Sequence, residues 1–165
     1  DSEAADKAAQ FFDLCNDHGI NMISLVDTPG FMVGPDSEEE GAVRIMSKLF
    51  ESSSKFENSL IAIFIRKAYG LGAQAIVGGS LHRPAFSCAW PSGEFGGMGI
   101  EGAVKLGYRK ELDAIDDVQE RNNLFNKLVE KMYEAGQAIQ AATFLEIDAV
   151  IDPAQSRETI LKAIK

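Results

Sequence analysis

Residues 60–73 read LIAIFIRKAYGLGA, and this stretch decides the fold. Its first six residues are continuously apolar, as in a strand covered on both faces of a parallel sheet. Arg66-Lys67-Ala68-Tyr69 then leads into Gly70 and Gly72. Those glycines predict a sharp turn over residues 66–73 and entry into a helix that ends near Gly78-Gly79. A buried strand followed at once by a helix is the unit of an α/β fold with parallel crossovers.

The flanks repeat the pattern. Upstream, residues 2–18 carry Ala5, Ala8, Ala9, Phe12 and Cys15 at helical spacing, with Ser2 as the candidate cap and Gly19 just past the end. Residues 20–26 (INMISLV) read as a short strand, and Asp27-Thr28-Pro29-Gly30-Phe31 as a turn. A second helix is expected over residues 37–50, with Glu38-Glu39-Glu40 in its first turn, where anions suit the dipole. Downstream, residues 85–89 read as a strand ended by Trp90-Pro91. The run SGEFGGMG then holds Gly93, Gly96, Gly97 and Gly99, and a helix starts near Ile100. Residues 111–142 are charged and helical throughout, residues 145–151 form a last strand, and residues 156–164 a terminal helix that Ser156 caps weakly.

The 165 residues suit one domain, at 45% hydrophobic and 25% charged. Those fractions exclude disorder, collagen and coiled coil. No apolar run approaches the ~20 residues that span a bilayer. Net charge is -9, with no basic face of the kind nucleic acid selects. Cys15 and Cys88 lie far apart without metal-ligand spacing and read as reduced core thiols. The chain opens on DSEAADKAAQFF, a helix already under way without an initiator Met, so an excised domain is expected.

Four constellations could carry chemistry. The turn at Gly70 and Gly72 places main-chain N–H groups at a helix start, which suits an oxyanion; the alternative is a ligand-free connection. The glycine-dense run 93–99 implies backbone packed closely against a helix or a ligand. Val26-Asp27-Thr28-Pro29-Gly30 imitates the magnesium-binding stretch of nucleotide triphosphatases, but no phosphate cradle G-x-x-x-x-G-K-[ST] occurs. His18 and His82 stand alone, no metal site is expected, and no nucleophile elbow is present.

The ordered segments LVDTPGFMVG, EEEGAVRIMSKLF, IRKAYGLGA, CAWPSGEFGGMGIEGAVKLGYRKEL and EIDAVIDP resemble the carboxyltransferase (β-type) subunits of biotin-dependent acyl-CoA carboxylases, such as the acetyl-CoA and propionyl-CoA enzymes. The resemblance spans nearly the whole chain. It implies a crotonase/ClpP-like fold, an α/β superhelix of ββα units, with residues 1–165 as a single domain similar to the C-terminal carboxyltransferase domain and the N-terminal domain absent. It implies the carboxybiotin-side half of an acyl-CoA carboxyltransferase, moving a carboxyl group from carboxybiotin to the α-carbon of a short acyl-CoA. The oxyanion donors carried over are the amides of Leu71 and Gly72, or Gly72 and Ala73 in a slipped register, with Gly70 through Ala73 around biotin. Gln74 falls at a substrate-selecting position, and Arg109, after GAVKLGY, matches an arginine of the active-site wall. The implied partners are a biotin carboxyl carrier protein, a biotin carboxylase subunit and the N-terminal carboxyltransferase domain. A cytoplasmic location, a homo-oligomer and inactivity of the domain alone are also expected. The alternatives are an enoyl-CoA hydratase or isomerase on the same fold, with Glu94 and Glu101 as its candidate carboxylates, and a non-catalytic assembly module.

Overall fold

The computed structural model describes residues 1–164; Lys165, the last residue of the expected domain, lies outside them. Nine helices and five strands alternate among the described residues: α1 (Ser2–Asp17), β1 (Met22–Thr28), α2 (Pro35–Glu39), α3 (Ala42–Ser54), β2 (Leu60–Tyr69), α4 (Gly70–Ala75), β3 (Phe86–Ala89), β4 (Glu94–Gly96), α5 (Ile100–Gly107), α6 (Arg109–Asp113), α7 (Val118–Ala135), α8 (Ala138–Thr143), β5 (Ala149–Val150) and α9 (Ser156–Ala163). All strand pairs are parallel, in the order β1-β2-β3-β5, with β4 on β2. The expected strand–helix alternation therefore holds.

The continuously apolar run is the sheet's centre. Leu60 through Phe64 are at most 1% exposed, because β1 and β3 flank them and helices cover them. One apolar cluster joins α1 and α3 to the start of β2. In it Phe12 meets Phe56 edge-on at 5.6 Å. A second cluster gathers Val26, Ala62, Phe64, Ala68, Ala73, Val77 and Ala138, with the Phe95 ring tilted against Phe64 at 4.9 Å. Cys15 and Cys88 are both free and buried, and burial pushes the Cys88 thiol up to about 11.

Several sequence expectations need correction. The strand does not end at Ile65; it runs to Tyr69, because Glu94–Gly96 pairs with Lys67 through Tyr69. The glycine-dense run is thus partly a strand, hidden by its own glycines. The helix expected over 37–50 is two helices, broken at Glu40-Gly41, so the glutamates do not open the longer one. The stretch 111–142 is three helices. The break at Gly136 exists because β4 crosses there: Phe95 N–H donates to the Gly136 carbonyl at 2.7 Å, and a Cβ on Gly136 would stand 2.5 Å from the Phe95 oxygen. Asp1, not Ser2, caps α1, accepting from the Ala4 amide. Ser156 caps no helix; its hydroxyl accepts from the Trp90 indole at 2.9 Å. The last strand shortens to two residues, and the Asp148 carboxylate beside it takes the Ser87 amide at 2.8 Å.

Asp27 belongs to β1 rather than to a turn. The Arg66 guanidinium grips its carboxylate twice, at 3.3 and 3.0 Å, and the Lys67 amide adds a third bond at 3.2 Å. The D-T-P-G stretch is therefore spent on tying β1 to β2 where their register shifts. Arg66 holds the Asp27 carboxyl below the ordinary carboxylate range. A depressed folded value means stabilisation that is present above the unfolded pKa of about 4 and lost as pH falls through the folded one. Both side chains are partly in solvent, which limits the pair to about 1 kcal/mol. Asp27→Asn is expected to lower urea stability by that amount at pH 7, with the gap closing below about pH 4; a gap independent of pH would refute the ion-pair account.

Candidate functional site

The site is built where three segments meet: residues 29–31 after β1, residues 69–72 at the junction of β2 and α4, and residues 96–99 from the last residue of β4 onward. Contact this close needs glycine. Gly70 has φ +60, and a Cβ there would stand 2.9 Å from the Gly97 carbonyl oxygen. A Cβ on Gly72 would sit 3.0 Å from Gly30. The three backbone segments therefore touch directly.

Tyr69 is the N-cap of α4, in extended conformation, and offers no side-chain cap. Leu71 and Gly72 lie in the helix's first turn, where no carbonyl four residues back can accept from them. Among the described residues, neither amide donates to a side chain or to backbone outside the helix. Two consecutive free donors thus stand at Leu71 and Gly72. Leu71 is 60% exposed, while Gly72 and Ala73 are buried.

Beside this turn lies an apolar cleft of about 580 Å³, walled by Phe31, Met32, Val43, Phe50, Leu71 and Met98, among others. The other sequence-derived residues open elsewhere. Gln74 lines a second cleft of about 360 Å³, which shares Gly70 and Gly97 with the first. Arg109 lines a third of about 780 Å³, which shares only Met98 with the first. Leu71, Gln74 and Arg109 therefore occupy three adjoining clefts rather than one.

Glu94 and Glu101 are each engaged by a tyrosine. The Tyr69 hydroxyl donates to Glu94 at 2.7 Å, and the Tyr133 hydroxyl to Glu101 at 3.1 Å. Neither carboxylate lines the three clefts. Burial and the Glu94 carboxylate push the Tyr69 phenol upward, so it stays protonated and keeps donating. This pair, unforeseen in the sequence, fastens the residue before the turn to β4. His18 is exposed and meets the Leu14 carbonyl, and His82 lies 3.5 Å from Glu146. No group of three or more potential metal ligands occurs among the described residues. No described helix is long and apolar enough to cross a membrane.

Comparison with known proteins follows the same segments. The carboxyl transferase domain family matches residues 1–165. The chain is 35% identical to the methylmalonyl-CoA carboxyltransferase 12S subunit of Propionibacterium freudenreichii subsp. shermanii, covering 100% of this chain and 31% of that one. It is 34% identical to the propionyl-CoA carboxylase carboxyltransferase subunit of Haloferax mediterranei, with the same two coverages. Among solved structures, a single-chain, multi-domain long-chain acyl-CoA carboxylase superposes with TM-score 0.88 at 51% identity, over 99% of this chain and 16% of that one. The transcarboxylase 12S hexamer core superposes with TM-score 0.86 at 34% identity, over 99% and 31%. The chain thus spans about a third of the curated relatives' length. The crotonase-like α/β fold expected from the sequence is the fold these neighbours share.

Proposed function

The chain belongs to the carboxyl transferase domain family, and from that premise we propose that it supplies the carboxybiotin-side surface of an acyl-CoA carboxyltransferase. The observation that carries this reading is the pair of unpartnered amides at Leu71 and Gly72, beside an apolar cleft. When bound, carboxybiotin brings the carboxyl group to be transferred and a ureido oxygen that gains negative charge as that group leaves.

The residues present fit such a group. Gly70 and Gly97 keep the backbone open where a flat ring would approach, and Phe31, Leu71 and Met98 offer it an apolar wall. The Leu71 and Gly72 N–H groups donate to an oxygen held at the turn in the ungapped register, and those of Gly72 and Ala73 in the slipped one. Preorganised donors of this kind contribute about 3–4 kcal/mol each where charge develops. Because they are main-chain groups, no side-chain base is required of this chain. Gln74 and Arg109, on the adjoining clefts, face the acyl-CoA side in this reading.

The remainder of the machinery lies with partners. We assign an N-terminal carboxyltransferase domain, a biotin carboxyl carrier protein and a biotin carboxylase subunit to that role, and a cytoplasmic setting to the whole. Exposed apolar residues support association with other units: Met32, Val33 and Val43 around the cleft, and Ile23 and Leu25 on β1.

The test is a biotin titration by calorimetry. Leu71 is exposed at the second position of α4, where proline is tolerated. Leu71→Pro removes one donor and is expected to weaken binding about tenfold, the worth of one hydrogen bond or slightly more. Leu71→Ala keeps the N–H while trimming the apolar wall, and is expected to weaken binding less than Leu71→Pro does. Equal binding by both variants would refute the assignment.

A further inference from the structure

The amide turn is built from residues with little stiffness of their own. Gly70 and Gly72 bracket Leu71, and glycine restricts its backbone least of all residues. α4 is only six residues long, and its N-cap, Tyr69, gives it no side-chain cap. Two donors that must aim at one point therefore need a support from outside the helix. Tyr69 provides it through its ring. Its backbone forms the last pair of β2 with β4, opposite Gly96, and its ring lies along that glycine, where an added Cβ would meet it at 3.4 Å. The hydroxyl then reaches two residues back along β4 and donates to the Glu94 carboxylate at 2.7 Å. Tyr69 is buried, so water competes little for that bond.

Glu94 hangs from the firmest part of β4. The residues on either side of it are both bonded to the segment that follows α7. The Ala138 amide donates to the Gly93 carbonyl at 2.9 Å, and the Phe95 amide to the Gly136 carbonyl at 2.7 Å. The Phe95 ring is seated against Phe64 in the second core cluster. Among the described residues the Glu94 carboxylate enters no ion pair and accepts from the Tyr69 hydroxyl. We propose that Glu94 is a positioning residue for the amide turn: through the Tyr69 hydroxyl it fixes the direction of the Leu71 and Gly72 N–H groups. This role rests on the function proposed above. Glu94 lines none of the three clefts and acts on the bound group only through the turn. A second phenol–carboxylate pair has the same chemistry without that connection. Tyr133 donates to Glu101 at 3.1 Å, joining α7 to α5 in exposed positions.

The experiment compares Tyr69→Phe, Glu94→Ala, Glu94→Gln and Tyr133→Phe in the full chain, by nitrogen-15 relaxation and by biotin calorimetry. Tyr69→Phe keeps the ring and removes only the hydroxyl, and it carries the test alone should Glu94→Ala unfold. In the native chain the Leu71 and Gly72 amides are expected to be rigid, with order parameters of about 0.85; in Tyr69→Phe and Glu94→Ala these should fall toward about 0.6. Biotin Kd should rise roughly three- to tenfold in both, the worth of one ordinary hydrogen bond. Combining the two changes should add little to either alone, because they break the same contact. Glu94→Gln keeps an acceptor oxygen and should restore most of the rigidity and affinity. Tyr133→Phe should leave both readings native, even where its melting point falls. Amides as rigid in Tyr69→Phe as in the native chain overturn the proposal. An equal loss in Tyr133→Phe also overturns it, since that would mean general loosening. Relaxation needs no ligand, so it decides the positioning role without biotin. A native chain that does not bind biotin, or Leu71→Pro binding as tightly as the native chain, would instead strike the function proposed above, with the hold of Glu94 on the turn still decided by relaxation.

Discussion

Phe64→Ala is expected to cost about 3–5 kcal/mol, the range for emptying a buried aromatic site. Phe64 is fully buried on the central strand, packed with Ala62, Ala68, Ala73 and Val77, and its ring lies 4.9 Å from that of Phe95. The void would open between β2 and β4, since Phe95 is a β4 residue and would lose its aromatic partner. Collapse to fill it is opposed on both sides. Ile63 is paired to Cys88 across the sheet, and the Trp90 amide is bonded to the Phe64 carbonyl at 3.0 Å. For a chain of this size the loss corresponds to a melting point lowered by roughly 6–20 °C. Phe144→Ala is the comparison. That ring is 74% exposed, and its removal should stay within about 0.5 kcal/mol. Calorimetric scans of the two variants decide the matter; equal melting points would mean that the second apolar cluster does not hold the sheet together.

The same residue shows what the sequence made visible. Six apolar residues in a row, bounded by polar residues and turn glycines, read as a strand covered on both sides, and that pattern places Phe64 in the core. The partner of its ring was not visible. Phe95 sits within SGEFGGMG, where glycines read as punctuation and three residues of strand leave no periodicity to detect. The breaks at Gly41 and Gly136 escaped for a related reason. A glycine inside a helical pattern is locally tolerable, and only the approach of β4 makes the one at 136 obligatory. The turn at Gly70 and Gly72 was legible, because a buried strand running into two glycines is a local signal. Its setting was not. Three clefts separate Leu71, Gln74 and Arg109, and cavity walls come from residues distant in sequence, such as Phe31 and Met98 on the first. Likewise, the Tyr69–Glu94 bond depends on a strand pairing that spacing does not reveal.

Gly70→Ala should show how far the site depends on that setting. Two costs combine. At φ +60 an alanine pays left-handed strain of about 1–2 kcal/mol. Its Cβ would also stand 2.9 Å from the Gly97 carbonyl oxygen, a backbone atom that cannot rotate aside. Relief requires residues 96–99 to move away from the turn. Those residues include Met98, which walls two of the clefts, and they follow β4, whose pairing on Tyr69 fixes where α4 begins. The expected total is about 2–3 kcal/mol of stability. Biotin affinity should fall by more than the roughly tenfold assigned to a single donor, because the Leu71 and Gly72 amides would turn together. Gly97→Ala is the control for the same contact seen from its other side. A Cβ there meets nothing within 4 Å, so stability should be close to that of the native chain. If Gly70→Ala folds and binds biotin as well as Gly97→Ala does, the close approach of the two loops is incidental, and the amide pair does not owe its position to it.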